Sequence, residues 1–165
     1  MTVNKNQAVI DYLRTCPYVR DNPLYFNFLT AADKANQLVT DPNDTASDRH
    51  FVDGSVLTHT QFTFVSDLTI SDDEIIVDPE TGTATLANEN IEDVELIQQL
   101  IDWIGEQNDA ENYPNFGEKC LVQNISTLTT NPVFDGINTS VSAALAIYSV
   151  AIRIEYIDYN KVIWS

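Results

Sequence analysis

Between Ala143 and Ile157 the chain is mostly apolar, and at its end it alternates: Ile152, Ile154 and Tyr156 fall on one side, Arg153, Glu155 and Ile157 on the other. A period of two with one apolar side is a half-buried strand of an antiparallel sheet, and such a sheet needs a second layer to cover its apolar face. Another long strand, Lys119 to Thr130, precedes it, and the turn formers Asn131-Pro132 and Asp135-Gly136 separate the two. The covering layer is written just upstream. From Asn90 or Ile91 to about Gln107, Val94, Ile97, Leu100, Ile101 and Ile104 recur at helical spacing. Glu92, Asp93 and Glu95 occupy the first turn, where the positive end of the helix dipole favours anions. Pro114 and Gly117 mark the exit.

The first half is less regular. Asn4 to Thr15 reads as a helix capped by Asn4 or Asn6, with Val9, Ile10 and Leu13 on one face and Pro17 ending it. Leu24 to Leu29 reads as a strand. Ala32 to Asp53 is polar and rich in turn formers, which predicts a long loop with a short helix around Ala35 to Leu38. Ser55 to Ser66 is a strand with Phe62 and Phe64 on one face, and Glu74 to Val77 and Thr83 to Leu86 flank a turn as a hairpin. The expected fold is α+β: one domain over residues 1–165, a mostly antiparallel sheet, and two main helices packed on one face.

The charge is lopsided. Eight Lys and Arg against 25 Asp and Glu leave a formal charge of −17, and no Lys or Arg occurs between His50 and Glu118. Such a surface repels phosphate backbones and anionic lipid headgroups, so neither stable nucleic-acid binding nor membrane binding is expected. No apolar run approaches the ~20 residues of a membrane span, and Met1 to Gln7 is no secretory leader, so a cytoplasmic place of synthesis is expected. Cys16 and Cys120 lie in no metal or redox spacing, which predicts two free thiols.

The ingredients for catalysis are thin. His50 and His59 are the only imidazoles and lack the tight ligand spacing of a metal site. Asp41, Asn43, Thr45 and Ser47 imitate a calcium loop, but Ala46 stands where its glycine belongs and Val52 where its bidentate glutamate belongs. Asp72, Asp73 and Glu74 form an acidic loop tip. No glycine-rich phosphate loop or nucleophile signature is present. The residues therefore predict no enzyme, no metal and no cofactor.

A family resemblance attaches to the C-terminal half. The helix stretch Glu95 to Gln107 ends in Asp102-Trp103-Ile104 with Gln107, followed by Tyr113-Pro114, a long strand, then Ala146-Ile147-Tyr148 leading to Tyr156. This arrangement over residues 90–157 resembles the small minor-capsid and tail-terminator proteins of long-tailed phages, with Asp102, Trp103, Gln107, Pro114, Tyr148 and Tyr156 as the matching positions. The resemblance implies a virion structural subunit at the junction of tail and neck. It would form a homo-oligomeric ring, usually of six copies, that ends the tail tube and meets tail tube and head connector proteins. Residues 67–88 stand out from that pattern as an acidic hairpin insertion, and Asp72, Asp73 and Glu74 would then line the lumen or lie on a loop. A neighbouring head–tail connector or completion protein is the nearest alternative, and an acidic cytosolic binding module, either a DNA mimic or an adaptor, is the next. A small hydrolase or metal-dependent enzyme is the reading least supported by the residues.

Overall fold

The computed structural model describes residues 3–20, 24–27, 36–40, 48–69, 75–77, 79–82, 84–86, 91–138 and 145–160, with only the backbone described at 69, 75–77, 84–86, 91–94, 96 and 138. Helix α1 spans Lys5–Leu13. Asn4 caps it: its side-chain oxygen accepts from the Gln7 N–H at 3.2 Å, satisfying a donor that the first turn leaves orphaned. Val9, Ile10, Tyr12 and Leu13 are buried. Pro17 ends α1 as expected but also opens the short helix α2, Pro17–Arg20, at a position where a missing N–H costs nothing.

The strands follow as β1 (Leu24–Phe26), β2 (Asn36–Thr40), β3 (Arg49–His50), β4 (Val56–Thr69), β5 (Ile75–Val77) and β6 (Ala84–Leu86). Helix α3 covers Ile91–Asp109, and β7 (Cys120–Thr127), β8 (Val133–Asn138) and β9 (Leu145–Asp158) complete the chain. Seven strands form the main sheet in the order β1-β2-β4-β9-β7, with β3 added beside β4 and β8 beside β9. All pairings are antiparallel except β1 with β2. The spine is the β4–β9 ladder, registered without interruption from Val56↔Asp158 to Thr69↔Leu145. Helices and sheet meet in one core: Leu13, Ile97, Leu100 and Ile104 pack against Phe62, Phe64, Ile125, Val150, Ile152 and Ile154. The fold is thus the expected α+β class, with the helices on one face of a mostly antiparallel sheet.

Four boundaries differ from the sequence reading. The helix expected at Ala35 to Leu38 is instead the strand β2, with Leu38 fully buried, and the expected loop also yields β3. Its polar residues misled because they are inside: Tyr18 donates to Ser66 at 2.8 Å, Ser66 donates to Asn36 Oδ1 at 2.8 Å, and Gln37 Nε2 reaches Asp67. Cross-strand partners thus meet the Asn36 oxygen and the Gln37 amide, side chains that read as solvent-facing, while Asn36 Nδ2 is buried without a hydrogen bond among the described residues. The connection between the last two long strands contains β8, because the first half of β9 would otherwise present an unpaired edge. The acidic hairpin is shorter than 67–88, since β4 carries Asp67, Leu68 and Thr69 into the main sheet. What remains is a separate two-stranded sheet, β5–β6, in the register Val77↔Ala84. The strand predicted for Leu24 to Leu29 is described only to Phe26, with Asn27 at φ 49° turning the chain out.

Candidate functional site

The positions carrying the family resemblance are dispersed through the fold. Asp102 is exposed on α3 and accepts from Gln98 Nε2 at 3.2 Å. Trp103 lies half-buried against Tyr12 of α1, ring centroids 5.1 Å apart, and locks the two helices together. Gln107 accepts from the Asn112 amide beyond the helix end, and Pro114 is buried. Tyr148 packs on Phe134, and Tyr156 stands edge-on to Phe116 with the Lys5 ammonium over its ring. Trp103, Tyr148 and Tyr156 pack in or against the core, Pro114 is buried and Asp102 is exposed, so these residues do not converge on one site. Of the core-helix positions, Ile97, Leu100 and Ile104 are buried and Ile101 is partly buried, while the side chain of Val94 lies outside the described set. Asp72, Asp73 and Glu74 lie outside the described residues.

Potential reacting groups are likewise separated. His50 pairs with Val56 and His59 with Glu155, and residues 56 and 59 of one strand point to opposite faces of the sheet. Cys120 lines a cleft with Lys5, Phe116, Lys119 and Asn160, but burial pushes its thiol pKa up against the pull of the Lys5 charge. Burial raises the Cys16 thiol in the same way. A thiol held protonated is a poor nucleophile. Among the described residues no three His, Cys, Asp or Glu side chains gather as a metal cage.

The notable surface is the sheet face turned away from the helices. Alternation places Leu57, His59, Gln61, Thr63, Val65 and Asp67 of β4 on it, beside Ile147, Ser149, Ala151, Arg153, Glu155 and Ile157 of β9. Leu121, Asn124 and Ser126 extend the rows through β7, and Val133 through β8. Most of these side chains are half-buried, while Leu121 and Val133 stand 54% and 43% exposed. Among the described residues the charges of this face nearly cancel. The strand register gives it the arginines Arg49 and Arg153 and the acids Asp67 and Glu155, in a chain of net −17. Burial further pushes the Asp67 carboxyl above the usual carboxylate range, against the hydrogen bond from Gln37. On the helix side, by contrast, Asp11, Glu95, Asp102, Glu106 and Asp109 are all exposed.

At the middle of the neutral face sits Arg153. Its Nε and Nη2 both donate to Gln61 Oε1, at 3.1 and 3.0 Å, and it has no carboxylate partner among the described residues. Gln61 is 5% exposed and so aims the guanidinium firmly. This pair was not legible beforehand: Arg153 was visible only as a polar position in an alternating strand, and its partner lies 92 residues away. The compositional signal was weak but present, since Arg153 is a cation inside the most apolar run of the chain. Scanned against known families and compared with curated proteins, the chain matches none.

Proposed function

We propose that the chain is a structural assembly subunit of the tail-terminator kind, forming a ring that ends a phage tail tube and joins it to the head connector. The observation that carries this reading is the polarised surface. One broad sheet face is neutral and half-apolar, whereas the helical side carries a row of exposed acids. A chain of −17 brings copies together most readily where its carboxylates are few or are met by cations, and the sheet face, where Asp67 and Glu155 are matched by Arg49 and Arg153, is such a place. Its exposed Leu121 and Val133 are suited to finishing their burial against a partner. The element order and the Asp102-Trp103 helix end support the narrower family reading.

Size-exclusion chromatography with light scattering, followed by negative-stain imaging, tests the proposal. Closed rings, or a concentration-dependent rise toward a ring mass, are the expected result. A strict monomer at all accessible concentrations, with or without co-expressed tail tube protein, would overturn it.

A further inference from the structure

Resting on that assembly reading, we propose that the Arg153 fork on the open sheet face receives the acidic stripe of α3 from a second copy. A guanidinium offers five donors in a rigid plane suited to carboxylates. Here two of them are spent on one neutral amide oxygen. Glu155 shares its strand face two residues away, yet the side chain is turned toward Gln61 instead. The fork is therefore aimed before any partner arrives, which lowers the entropy cost of recognition.

The complementary surface is on the same molecule. Glu95, Asp102, Glu106 and Asp109 follow one another at spacings of seven, four and three residues, which keeps them on one helical stripe. All four are exposed, opposite the buried Ile97, Leu100 and Ile104. Two copies meeting sheet face to sheet face about an axis through Arg153 would set Arg153 against Arg153. Sheet face to α3 stripe sets cation against anion and relieves the helix of uncompensated like charges. Such a contact uses two different patches, so it is heterologous and propagates from copy to copy, closing into a ring when the rotation permits. It also gives Asp102, exposed and without a core role, a purpose at the helix surface.

Charge exchange tests this in the full chain by light scattering and sedimentation at physiological salt. Arg153→Glu is expected to weaken self-association by about tenfold or more, as truncation of a held charge pair does. The exposed pair Asp102→Lys with Glu106→Lys should do the same without touching the sheet. Placing all three changes in one chain should restore most of the association, an outcome that damaged folding cannot produce. Wild-type-like association of the Asp102→Lys, Glu106→Lys chain, or no recovery in the triple variant, overturns the proposal while leaving the assembly reading standing. A wild-type chain that stays monomeric throughout overturns both.

Discussion

Leu100 and Asp67 show how differently two buried side chains bear on stability. Leu100 is 0% exposed, in the apolar core where α3 meets the sheet. Leu100→Ala should therefore cost about 2–5 kcal/mol, the lost transfer energy plus the cavity left behind. Denaturant melts read this directly, and a loss under about half a kcal/mol would mean that the helix face relaxes to fill the gap. Asp67 is 6% exposed, and burial holds its carboxyl above the ordinary range. The folded chain then binds a proton that the unfolded chain releases, so stability falls as pH rises from the ordinary aspartate pKa through the raised one. Asp67→Asn keeps an acceptor for Gln37 and removes that cost. It should melt higher than wild type at neutral pH, with the advantage shrinking as pH drops toward about 4. Thermal melts across that range decide, and a lower melting point at neutral pH would contradict the assignment.

At the scale of elements, β8 and its bulge are the feature most open to test. The register slips between Phe134 and Gly136, and Gly136 takes φ 137°, a conformation that side chains rarely adopt. A Cβ there meets no neighbour within 4 Å, so the cost of Gly136→Ala comes from the backbone alone. About 1–3 kcal/mol is expected, concentrated on the β8–β9 ladder. Hydrogen exchange should show faster opening of Val133–Asn138, with the β4–β9 spine unchanged. The same elements mark where local reading fails. Val133–Asn138 is short and contains Asp-Gly, so its own pattern says turn, and only the demand of β9 for a partner makes it a strand. Asn36–Thr40 fails for the opposite reason: Asn36 and Gln37 read as surface because their buried partners, Ser66 and Asp67, are 30 residues away.

The whole molecule separates its charges, and DNA binding follows from that. Arg14 and Arg20 sit at the ends of α1 and α2, while Arg49 lies beside Leu57 on the open sheet face. Arg49 is thus set apart from the helix-borne Arg14 and Arg20, Lys34 lies outside the described residues, and the exposed stripe of α3 is acidic. Nonspecific affinity for DNA comes from cations that release counterions, so no binding is expected at physiological salt. Fluorescence anisotropy with a short labelled duplex should give a flat titration. Saturable, salt-sensitive binding at micromolar protein would refute this.

The main elements were legible because their patterns are local. The i, i+3, i+4 stripe of α3, the Asn4 cap and the alternation of β9 each follow from side-chain periodicity that a few neighbouring residues reveal. The α+β class follows from them, since a one-sided sheet and two one-sided helices have a common solution. The surface proposed for assembly was not legible, because it depends on register. Only the pairing of Gln61 with Arg153 brings a neutral amide under the guanidinium, and only the parity of β4 and β9 sets Asp67 and Glu155 on the same face as Arg153. Local sequence decided which side chains alternate; the tertiary structure decided which of the two faces the helices would cover, and so which face was left open.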